Sequence, residues 1–156
     1  LAIGLSMLNI TLKQFTLSLT ARDSEIAFHA ANTGLECLQY TRNSDPTAFL
    51  NPNAPSVTCG GDTSAPTKKH PGGGVYGHVY TFDVDGNDGD MCIEVSLYTA
   101  SPSGSDITRP LNNEGLAEFE CPAGVTCTMI FSRGYNRACD DRDSIRTVQR
   151  ELTIQF

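Results

Sequence analysis

From Leu1 to Ala21 the chain runs LAIGLSMLNITLKQFTLSLTA, mostly apolar, with Lys13 as its only charge. A bilayer span needs about 20 predominantly apolar residues. Asn9, Lys13 and Gln14 interrupt this one, and a lysine at mid-membrane alone costs roughly 2.5–3.5 kcal/mol. The stretch therefore reads as the tail end of an apolar helix whose true start lies upstream of Leu1. No Ala-x-Ala cleavage pattern follows it, and the helical rhythm runs straight on. Arg22, Glu25, His29, Asn32, Glu36 and Gln39 recur at alternating spacings of three and four. Two apolar rows keep the same step: Ala27, Ala30, Gly34 and Cys37, then Phe28, Ala31, Leu35 and Leu38. This is one helix with a solvated stripe and a wide buried face. That face is built mostly of small residues, so another element can approach its backbone closely. Gly34 there costs about 1 kcal/mol of helix propensity, which close packing can offset.

Beyond Asn43 the periodicity stops. Asp45-Pro46, Asn51-Pro52, Gly60-Gly61 and Gly72-Gly73-Gly74 mark residues 43–74 as loop. Period-two alternation begins at Val75: Tyr80, Phe82 and Val84, then Ile93, Val95 and Leu97, and finally Val148, Leu152, Ile154 and Phe156. Met129–Phe131 adds a short apolar run. About four antiparallel strands are expected over 75–156. Their apolar face needs cover, and the helix face of residues 26–38 is the only one available. The predicted class is α+β, with a long N-terminal helix packed on a small antiparallel sheet. The predicted division is a hydrophobic helix over 1–24 and a globular part over 25–156, its helix covering 25–42.

Length and composition narrow the function. The 156 residues fit one ordinary domain. A net charge of −7 without a Lys/Arg cluster argues against a nucleic-acid or anionic-membrane surface, so no nucleic acid is expected as a direct partner. Six cysteines, at 37, 59, 92, 121, 127 and 139, form no CxxC pair. An even count without tight ligand pairs favours disulfides in an oxidising compartment over zinc.

Candidate chemistry is sparse. No G-x-S-x-G, P-loop, HExxH or dinucleotide fingerprint occurs. His29 belongs to the polar helix stripe, and His70 and His78 flank the glycine run with no nucleophile motif beside them. No catalytic residue and no resident cofactor is expected. Tyr76, Tyr98 and Tyr135 are candidates for exposed ligand contacts. In DVDGNDGD, Asp83, Asp85, Asn87 and Asp90 offer hard oxygen ligands at a spacing that suits Ca²⁺, but the twelfth position of a calcium loop, Glu94, falls within a predicted strand. The competing reading is a solvated hairpin turn, since Asp-Gly is a strong turn former.

The block ARDSEIAFHAANTGLEC, following an apolar helix, resembles the N-terminal helix of bacterial type IV pilin-like proteins. The closing stretch IFSRGYNRACDDRDSIRTVQRELTIQF is similar to the last hairpin of the same family, with SRGYN as its turn. Together they cover roughly a third to two-fifths of the chain. Members of that family carry a Glu at the fifth mature position, where this chain has Leu5. A start upstream of Leu1 would account for the difference. The resemblance implies a disulfide-bonded subunit of a bacterial cell-surface filament, anchored in the inner membrane before assembly and then joined to identical copies. A minor pilin or adhesin is the alternative, with loops 44–74 and 100–118 contacting a surface, as is a pseudopilin of a secretion system. Leu1, Ile3, Leu5, Leu8, Leu12, Lys13, Phe15 and Leu19 are the expected subunit interface. Gly4, Ser6, Thr11, Ser18 and Thr20 would allow close helix approach there. The cysteine pairs expected are Cys37–Cys59, Cys92–Cys139 and Cys121–Cys127: the first tying the loop to the helix end, the second linking two strands, the third closing a small loop.

Overall fold

A computed structural model describes residues 2–85, 90–111 and 118–156, without the side chains of 2–6 and 69–71. The first element is a single helix, α1 (Ala2–Ser44), of 43 residues. At 1.5 Å per residue it is about 65 Å long. It contains no proline, and its threonines do not compete with it. Thr11, Thr16, Thr20, Thr33 and Thr41 each donate their hydroxyl to a carbonyl three or four residues back. The helix stops where Pro46 disfavours helical geometry at the preceding residue. Asp45 Oδ1 there accepts bonds from the Thr47 hydroxyl (2.8 Å) and amide (3.0 Å), which hold its carboxyl below the usual carboxylate range.

Nine strands follow among the described residues: β1 (Val57–Cys59), β2 (Asp62–Ser64), β3 (Thr67–Gly72), β4 (Val75–Val84), β5 (Met91–Ala100), β6 (Ile107–Pro110), β7 (Glu118–Cys121), β8 (Cys127–Tyr135) and β9 (Gln149–Gln155). The main sheet is antiparallel, in the order β3-β4-β5-β8-β9. Two small hairpins, β1–β2 and β6–β7, form sheets of their own. The class is α+β, as expected. The stretch expected as loop over 43–74 is not all loop, because it holds β1, β2 and β3. β1 and β2 are too short for an alternation to register. β3 has one neighbour only, and an edge strand tolerates Pro71.

The sheet buries both faces. Tyr80, Phe82, Ile93, Val95, Leu97 and Ile130 point toward α1, where Ala30, Leu38 and Phe49 meet them. One residue out of phase, Val75, Tyr98, Ala100, Met129 and Phe131 point the other way, against Leu111 and Phe119 beside the β6–β7 hairpin. Farther along that second face, directly opposed residues make an ion cluster. Arg133 reaches Glu94 at 3.2 Å and Glu151 at 2.6 Å, and Arg142 reaches Glu94 at 3.0 Å.

α1 lies across β5, β8 and β9, and the approach is close because both surfaces are small. Ala27, Ala30 and Ala31 are fully buried, and Gly34 sits over Ile93, Val95 and Ser132. On the facing strand a Cβ at Gly134 would overlap the Ala27 carbonyl and the Ala31 amide. The segment SRGYN, expected as a turn, is therefore mostly strand. Its glycine is there for proximity to the helix rather than for chain reversal. Ser132 Oγ donates to the Ala31 carbonyl at 2.6 Å, and Arg150 Nε and Nη2 donate to Ser24 Oγ at 2.8 and 2.6 Å. Ser132→Ala is expected to lower unfolding free energy by about 1 kcal/mol in chemical denaturation. An unchanged midpoint would show that this bond contributes nothing net.

Three disulfides join Cys37 to Cys59, Cys92 to Cys139 and Cys121 to Cys127. Cys139 lies after β8, so its bridge anchors the 136–148 loop to β5 instead of linking two strands.

Candidate assembly surface

The part of α1 that precedes the sheet has no cover: residues 7–22 are exposed throughout. Seven large apolar side chains stand on it, from 44% exposed at Leu19 to 69% at Leu17. Their placement follows from helical geometry. With about 100° of rotation per residue, Leu8, Leu12, Phe15 and Leu19 form one flank. Met7, Ile10 and Leu17 form a second, roughly opposite flank, which Phe28 extends. Phe28 was expected in the buried rows but is 46% exposed, because it points sideways from the alanines that meet the sheet. Asn9, Lys13, Thr16 and Thr20 lie between the flanks, on the side that farther along carries Ala27, Ala31 and Gly34 toward the sheet.

Of the expected interface, Leu8, Leu12, Lys13, Phe15 and Leu19 are exposed and project from one end of the molecule. Leu1 lies outside the described residues, as do the side chains of Ile3 and Leu5. The sequence reading missed the second flank, although a full helical projection of residues 7–17 contains it. It also missed Ile145, which is fully exposed beside the helix; nothing in its polar surroundings DDRDSIRTV marks it. Among the described residues, no helix is long and apolar enough to cross a membrane.

The other candidates are not brought together as a site. Asp83 Oδ1 accepts the Cys139 amide at 3.4 Å, Asp85 and Asp90 are exposed, and Asn87 lies outside the described residues. No group of three or more His, Cys, Asp or Glu placed to hold a metal occurs among the described residues. His29 is exposed at 3.7 Å from Glu25, and His78 is buried against Phe49. Tyr98 is not an exposed contact as expected: it is 2% exposed and packs edge-on to Phe131, because its place in β5 points into the second core. Tyr76 and Tyr135 are half-buried. Burial raises the Tyr135 phenol above its ordinary value, with the nearby Glu94 carboxylate adding to the effect. Burial holds the Tyr80 phenol far above its ordinary value, as a neutral donor to the Pro55 carbonyl at 2.9 Å.

No family model, curated protein or solved structure matches the chain.

Proposed function

We propose that this chain is a structural subunit of a type IV pilus-like extracellular filament, polymerising through the exposed part of α1. The observation that carries the reading is the pair of opposed apolar flanks. One apolar flank would be satisfied by a closed dimer. Two flanks on opposite sides let each copy contact two others through different surfaces, a head-to-tail contact that builds an open array wherever the rotation between copies does not close into a ring. Seven large apolar side chains cannot stay in water at these exposures without a strong drive to associate. The disulfides support an oxidising, exported setting. The head carries no catalytic constellation among its described residues and serves as the outer surface of the fibre. Before assembly, a lipid bilayer shelters the apolar segment.

The test uses the full chain by electron microscopy and sedimentation. Wild type is expected to form long fibres. Leu12→Asp with Phe15→Asp abolishes them while leaving the unfolding free energy within about 0.5 kcal/mol of wild type, since both side chains are solvated in the single copy. Ile10→Asp with Leu17→Asp does the same from the other flank. A monomeric wild type without detergent, its α1 turned back on its own head, would refute the reading.

A further inference from the structure

Between α1 and the 136–148 loop runs a groove of about 630 Å³, with Leu19 and Asp23 on its helix wall and Ile145 and Val148 on the other. A second hollow continues it past Asp23 and Arg137 toward Ile26. The apolar part of the groove is continuous with the first flank of α1 through Leu19. Its charges are unevenly committed. Arg137 is engaged by Asp141 at 3.7 Å, and Arg146 stands exposed on the loop wall. Asp23 is half-buried and forms no ion pair or side-chain hydrogen bond among the described residues. The chain's other end supplies the complement, since Lys13 is the only charge in residues 1–21 and is exposed.

Helical projection sets which sides can meet. Asp23 projects between the head side and the Leu8–Leu19 flank, whereas Lys13 projects between the head side and the Met7–Leu17 flank. When the first flank of one copy faces the second flank of a parallel neighbour, Asp23 and Lys13 fall on the same, head-facing edge of the contact. We infer that this groove receives the α1 segment of a second copy, with the neighbour's Lys13 paired to Asp23 and its Met7 and Ile10 laid against Leu19 and Ile145. Ten residues separate positions 13 and 23, so neighbouring copies are offset along the helix axis by about 15 Å. Arg146 on the far wall keeps the incoming ammonium on the helix side. The inference rests on the filament reading and specifies how two copies meet in it.

Charge exchange in the full chain tests the pairing, with the critical concentration for assembly read by pelleting. Lys13→Asp and Asp23→Lys are each expected to raise it by about tenfold or more, because each places like charges in a partly desolvated contact. The double exchange is expected to return it to within about threefold of wild type. Asp23→Asn, which keeps the side chain's shape, falls between. Ile145→Asp raises it with no shift in thermal midpoint, since Ile145 is wholly exposed in the single copy. If wild type assembles and the single reversals assemble equally well, or the double exchange is no better than either single, the groove is not the contact and the filament reading stands alone. If wild type itself fails to assemble, both fall.

Discussion

Gly134→Val is expected to destabilise the chain by about 3 kcal/mol, near the upper end of what overpacking a tight contact costs. For a protein of this size that is a fall of about 10 °C in the thermal midpoint. The cause is specific. The missing Cβ of Gly134 faces the Ala27 carbonyl and the Ala31 amide, backbone atoms that cannot rotate away. A valine there must push α1 off β8, which opens the contact at Ala30 and weakens the Ser132–Ala31 bond. Gly104→Ala is the control, since nothing lies within 4 Å of the added carbon. Circular dichroism melting of dilute, unassembled chains distinguishes the two. A Gly134→Val midpoint matching that of Gly104→Ala would mean the helix does not lie against the strand as described.

Replacing Cys92 and Cys139 together by serine is expected to cost about 4 kcal/mol, the largest loss among the three bridges. A cross-link stabilises by restricting the unfolded chain, and the restriction grows with the length of the closed loop. Cys92 and Cys139 are 47 apart in sequence, Cys37 and Cys59 are 22 apart, and Cys121 and Cys127 only 6. The same relation gives about 3.4 kcal/mol for the second pair and about 2.4 kcal/mol for the third. Urea unfolding of the three double-serine variants should follow that order. If loss of the Cys121–Cys127 bridge proved costliest, local constraint in the folded state would outweigh chain entropy.

Long, strongly periodic segments were legible in the sequence, and short or edge segments were not. The small residues Ala27, Ala30, Ala31 and Gly34 repeat at helical spacing and announced a face meant for close packing, which is where β5, β8 and β9 lie. β4 and β5 showed alternation because one set of their side chains meets α1 while Thr81, Asp83, Glu94 and Ser96 between them are polar. β3 did not, because an edge strand needs neither two apolar faces nor a donor at every amide. Ser132-Arg133-Gly134 read as a turn because the resemblance of the closing stretch to a family hairpin implied one. In this strand, glycine reports the nearness of the helix, a long-range fact that no local window contains. The exposed apolar flanks of α1 were half legible: the Leu8–Leu19 row stood out, while Met7, Ile10 and Leu17 are separated by polar residues and emerge only on a helical projection. Ile145 could be found only once the loop carrying it had been placed beside α1.

α1 passes from its uncovered part into its packed part without a proline, a glycine or a missing turn between Phe15 and Thr33. Such a rod has no swivel. Torsion applied to the head goes directly into the apolar segment, and in the proposed fibre no hinge within one copy would absorb bending. In the proposed fibre, compliance would come mainly from copies sliding past one another, which would make elasticity a property of the contacts between chains.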